Sequence, residues 1–97
     1  MLKVTPFKFG DIIGTIYDFP EKNDILPMHE HDESSVHITI VAKGKFKAKG
    51  LEWEKELISG NVVDWQPYQP HEFIAMEPDS RLVNIVKHIN KYNNKKR

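Results

Sequence analysis

The stretch ILPMHEHDESSVHITIVAKG, residues 25–44, decides how the rest of the chain is read. Its second half, Val36 to Ala42, is rich in β-branched residues and is the strongest strand signal in the sequence. A polar loop, Asp32 to Ser35, precedes it, and an extended segment, Ile25 to His31, precedes the loop. Upstream, Pro20 to Asp24 reads as a turn. Phe7 to Phe19 is again β-branched and aromatic, with Gly10 and Gly14 suited to a bulge or bend within it. Downstream, Lys45 to Lys49, Trp53 to Leu57, Asn61 to Trp65, Glu72 to Met76 and Arg81 to Val86 each have strand length. Turns are expected at Ser59-Gly60, Gln66 to Pro70 and Glu77 to Ser80. Eight or nine short strands predict an all-β antiparallel sandwich or barrel. Only His88 to Lys96 has a helical option, and Asn90, Asn93 and Asn94 argue against it.

With 97 residues the chain has room for one domain and one core, so residues 1–97 are read as a single domain. A hydrophobic fraction of 39% against 29% charged residues is enough to fold. The absence of cysteine excludes disulfides, thiolate-bound zinc, iron–sulfur clusters and thiol nucleophiles. The first residues show no apolar leader behind a basic stretch, and no window approaches the ~18 apolar residues of a membrane span, so a soluble cytoplasmic protein without a membrane partner is expected. Balanced charge, 14 basic against 14 acidic residues, hides a basic tail at residues 87–97. That tail reads as a solvated terminus and not as a nucleic-acid contact, and the scarcity of Arg points the same way. Abundant Lys, Asn and Ile suit an AT-rich genome, bacterial or viral. There is no Gly-rich phosphate loop, no GxSxG elbow and no internal repeat.

The chemistry sits on histidines. His29 and His31 are two apart, so on an extended strand they share a face, as paired metal ligands must. His37 opens the next strand and His71 follows a proline-rich turn, and a closed barrel brings all four together. Four imidazoles without cysteine make a nitrogen-rich site for iron, nickel, zinc, copper or manganese. Magnesium and calcium prefer oxygen donors. The competing reading is of exposed or hydrogen-bonded imidazoles with no ion.

His29-Glu30-His31, His37 and Gly44 together resemble the first cupin motif, G-x5-H-x-H-x3–4-E-x6-G, with His37 standing where the glutamate usually is. Gly60, Pro70 and His71 resemble the second, G-x5-P-x-G-x2-H-x3-N. The resemblance covers residues 25–86 and implies a double-stranded β-helix, the jelly-roll cupin barrel, with a divalent transition metal held by His29, His31, His37 and His71. Departures are the His37 replacement, a five-residue loop between His31 and His37, Gln66 in place of proline, Tyr68 in place of glycine and Ala75 in place of asparagine. If His37 does not bind, a three-histidine site remains.

If His37 faces the pocket, Thr39 and Val41 do too, and Val36, Ile38 and Ile40 form an opposite face too apolar for water. Either the N-terminal segment or a second subunit must cover it, and a homodimer is expected. Gln66, Tyr68 and Thr39 are the candidate pocket residues for a small-molecule ligand or substrate. Trp53, Trp65 and Phe73 either line the cavity or fill the core, and Glu33 and Glu72 are acids near the loops. His88 has no place in the motif. Two functions compete: a small-molecule metalloenzyme of dioxygenase, isomerase or lyase type, and a non-catalytic binding module serving as a sensor or accessory subunit.

Overall fold

A computed structural model of the chain describes residues 1–89. The basic tail beyond Ile89 and the helical option up to Lys96 lie outside the described residues. Nine strands follow in chain order: β1 Lys3–Phe9, β2 Ile12–Phe19, β3 Ile25–His29, β4 Ser35–Lys43, β5 Lys45–Lys49, β6 Glu54–Ile58, β7 Val62–Trp65, β8 His71–Ala75 and β9 Ser80–His88. They form two antiparallel sheets, one of five strands in the order β1-β2-β9-β4-β7 and one of four in the order β3-β8-β5-β6. This is the all-β double-stranded β-helix.

The alternation in Val36 to Ala42 explains the central position of β4. Thr39 and Val41 are buried on the inner face, while Val36 is exposed on the other. Side chains repeat every two residues, so cross-strand partners fall in rows. One inner row runs Thr15, Asn84, Thr39 and Val63, and the next runs Ile13, Val86, His37 and Trp65. The core between the sheets is aromatic: Phe19 and Phe46 meet edge to face with ring centroids 4.8 Å apart, and Phe46 meets Phe73 at 6.5 Å. All three are fully buried.

One strand assignment needs correction. Phe7 to Phe19 is not a single bent segment but a hairpin, β1 and β2, joined at Gly10 and Asp11. Gly10 takes φ +62°, which glycine adopts without steric cost and which the tight turn uses. Gly44 joins β4 to β5 at φ +84°, and a Cβ there would collide with the Ser80 side chain and come within 2.9 Å of its Cα. The motif glycine is therefore demanded twice, by backbone angle and by the closeness of the β8–β9 connection.

The N-terminal segment does not cross the outer face of the five-stranded sheet; it joins that sheet as edge strand β1. Thr5, Ile16, Val83, Ile40 and Val62 make one outer row, and Phe7, Gly14, Ile85, Ile38 and Asp64 the next. Among the described residues no segment lies over this apolar face, and Val36 and Val62 are more than half exposed. No helix among the described residues is long and apolar enough to cross a membrane.

Candidate metal centre

Pairing of β3 with β8 sets His29 directly opposite His71 at the end of the four-stranded sheet. Their rings are 4.4 Å apart, centroid to centroid. His31 lies just past the end of β3, 5.0 Å from the His29 ring and 5.3 Å from that of His71. The Tyr68 N–H donates to the His31 carbonyl at 2.6 Å, tying the β7–β8 turn to this loop. One ring nitrogen from each of His29, His31 and His71 falls within 4.8 Å of the others, so the three can converge on one ion.

Backbone contacts choose the tautomers. The Nδ1 atoms of His29 and His71 lie 2.8 Å from the carbonyls of Pro27 and Gln69, which only accept. Each Nδ1 therefore carries the proton and donates it, leaving Nε2 with its lone pair free for a metal. His71 is 1% exposed, and the Trp65 indole stacks on it at 3.9 Å with planes 6° apart. The donor set suits an imidazole-bound transition ion, and the fixed tautomers favour binding.

His37 stands apart from this triad. Its ring stacks on His31 at 3.6 Å with planes 15° apart, and its Nε2 is in hydrogen-bond contact with Ser35 Oγ at 2.8 Å. Imidazole lone pairs lie in the ring plane, so two nearly parallel stacked rings do not aim at a common ion. In this arrangement His29, His31 and His71 are the three placed to hold an ion, with His37 as their neighbour.

Three of the four imidazoles, His31, His71 and His37, are pushed toward the neutral form. Burial, followed by repulsion from His37, lowers the His31 imidazole to about 4 from its ordinary 6.5. Burial is also the largest cause of the fall of His71 to about 4. Burial, then His88, lowers His37. Between the folded and unfolded values the unfolded chain binds more protons, so stability is full above about pH 6.5 and falls as pH drops toward 4. For the metal-free protein, calorimetry should show a melting temperature that declines over this interval, less steeply in His71→Asn. A profile identical in the variant contradicts the assignment.

A cavity of about 330 Å³ opens beside the triad, bounded by His29, His31 and His37 and, on β2 and β9, by Thr15, Tyr17 and Asn84. Thr39 lies beneath it, 1% exposed, its hydroxyl accepting from Trp65 Nε1 at 2.9 Å and donating to Asn84 Oδ1 at 2.6 Å. Gln66 and Tyr68 are exposed on the β7–β8 turn and do not line the cavity. The Tyr68 hydroxyl reaches Glu33 at 3.4 Å, and desolvation followed by the Glu33 carboxylate raises its pKa. Tyr68 also has φ +60°, which explains the glycine usual at this motif position: a tyrosine there bears backbone strain of about 1 kcal/mol. Phe73 is core, while Trp53 is 37% exposed and stacks on Trp65 at 6.1 Å. Glu72 does not line the cavity, and His88 ends β9 opposite Ser35, outside the triad.

Asn84 escaped the sequence reading, although a signal existed. In Leu82, Asn84 and Val86 it is the lone polar residue in the inward phase of an otherwise apolar strand.

A barrel of two antiparallel sheets with a histidine cluster inside one end is a cupin fold, and comparison with solved structures agrees. KdgF from a Halomonas species superposes with a TM-score of 0.75 at 18% identity, covering 95% of this chain and 81% of that one. The Cnp3 cupin domain of Schizosaccharomyces pombe superposes at 0.79 with 12% identity, covering 98% and 70%. A cupin 2 conserved barrel domain protein of Salinispora arenicola gives 0.78 at 12% identity, covering 96% and 81%. No protein-family model matches the sequence, and no curated protein matches it. The chain thus has the cupin fold, with three histidines placed to hold a metal.

Proposed function

We propose that the chain is a small-molecule metalloenzyme whose divalent transition ion is held by His29, His31 and His71, with the substrate in the adjoining cavity. The observation that carries this reading is the convergence of three imidazoles, two of them with Nε2 freed by backbone-bound Nδ1 protons, with His29 and His31 at the wall of a cavity large enough for a ligand. Bound there, the ion supplies Lewis acidity and open coordination positions for a substrate. The chain does the rest: Trp65 fixes the His71 ring, Tyr68 N–H holds the His31 backbone, and apolar Leu26, Met28 and Val86 limit water in the cavity. Among the described residues no Asp, Glu, Lys or Arg lines it, which leaves the ion and the His37 imidazole beside it to supply the chemistry. Elemental analysis of untagged protein purified without chelator tests this reading. About one transition ion per chain is expected, and no metal with no stabilisation by added divalent ions contradicts it.

The reading includes a homodimer. The outer face of the five-stranded sheet is apolar across its central rows, with the ion pair of Arg81 and Asp18 toward one end, and a second copy is self-complementary to it. Sedimentation at micromolar concentration should give twice 11.3 kDa, and Ile38→Lys should halve that mass. A monomeric wild type contradicts the dimer.

A further inference from the structure

We propose that Asn84 orients the ligand in the cavity, its side-chain amide nitrogen donating to an oxygen of a small uncharged carbonyl compound beside the histidine triad; this rests on the triad being a metal centre. The argument is one of donors and acceptors. An indole N–H only donates, so the contact of Trp65 Nε1 with Thr39 Oγ1 at 2.9 Å makes Thr39 the acceptor. The Thr39 hydroxyl proton then goes to Asn84 Oδ1 at 2.6 Å. Thr39 is 1% exposed, so no solvent competes for either bond. The bond turns the Asn84 carbonyl toward Thr39 and so orients the amide, whose NH2 is the donor it offers the cavity it lines.

The chain of bonds also links the ligand to the metal site, because the Trp65 that starts it stacks on His71. A ligand matched to this cavity presents an acceptor oxygen to Asn84 and an apolar body to Leu26, Met28 and Val86. Since none of the described lining residues carries a full positive charge, a carboxylate or phosphate distant from the ion would lie uncompensated by them. A volume of about 330 Å³ sits at the small end of ligand pockets. Small uncharged carbonyl compounds meet all three conditions.

The test uses the full chain loaded with cobalt(II) and two probes read by the cobalt absorption spectrum. Acetohydroxamic acid brings a carbonyl oxygen; ethanethiol ligates through sulfur and carries no acceptor oxygen. Asn84→Ala and Asn84→Leu, the second keeping the size but losing the donor without adding charge, should each weaken acetohydroxamic acid about tenfold and ethanethiol less than twofold. Thr39→Val, which frees the amide to turn, should give a partial loss in the same ratio. Equal losses for the two probes, no loss, or a wild type that binds ethanethiol but not acetohydroxamic acid overturns the role of Asn84 alone. A chain that takes up no cobalt overturns the metal centre, and the proposal with it.

Discussion

His71→Ala should abolish stoichiometric metal binding: isothermal titration with zinc or cobalt is expected to show affinity lower by more than about 100-fold, beyond what loss of a group hydrogen-bonded to a ligand causes. The residue is 1% exposed, directly opposite His29, and its Nε2 is freed for coordination by the Nδ1 bond to Gln69. Removing it takes away one of three donors and leaves two on a loop and a strand end. It also uncovers the face of Trp65 that stacks at 3.9 Å. Metal bound only to the folded state stabilises it by mass action, by about 2.7 kcal/mol at a hundred times Kd. The variant should therefore lose the rise in melting temperature that metal gives the wild type. His37→Ala, by contrast, should leave stoichiometry at one, since His37 stacks on His31 instead of joining the triad. Loss of metal in His37→Ala and retention in His71→Ala would reverse the assignment.

Phe46→Ala should cost about 3–5 kcal/mol in urea denaturation, the range for deleting a buried phenylalanine ring. Phe46 is fully buried, edge to face with Phe19 at 4.8 Å and with Phe73 at 6.5 Å, so its ring fills the space between the two sheets. A domain of this size has only about 5–15 kcal/mol of stability in all. The damage should reach the histidine triad, because Phe73 packs against Trp65 at 5.7 Å and against His71 at 5.9 Å. A loss below about 1 kcal/mol would mean that the core is not organised around this residue.

The fold was legible wherever one face is buried and the other is not. Val36 to Ala42 announced β4 because burial of Thr39 and Val41 imposes alternation on the strand. The β1–β2 hairpin was not read as such, since Gly10 supports a bulge as readily as a turn and β1 is exposed along its whole length, leaving no burial pattern to set its bounds. At the site, the spacing of His29, His31 and His71 carried the resemblance, and the structure brings these three together. It could not carry the orientation of His37, which depends on ring stacking and on the neighbouring Ser35 hydroxyl. Thr39 was singled out for its inward phase, but whether an inward hydroxyl meets ligand or protein is decided by a residue distant in sequence, here Trp65. Asn84 was hidden for the same reason: its amide is oriented by a chain of bonds across three strands.

X-ray absorption at the metal edge, on untagged protein loaded with one equivalent of zinc, reads the ligand set directly. His29, His31 and His71 predict nitrogen and oxygen neighbours at about 2.0–2.1 Å, with outer-shell scattering that fits three imidazole rings and keeps that fit in His37→Ala. A shell without imidazole scattering, or one that loses a ring in His37→Ala, would contradict the three-histidine centre.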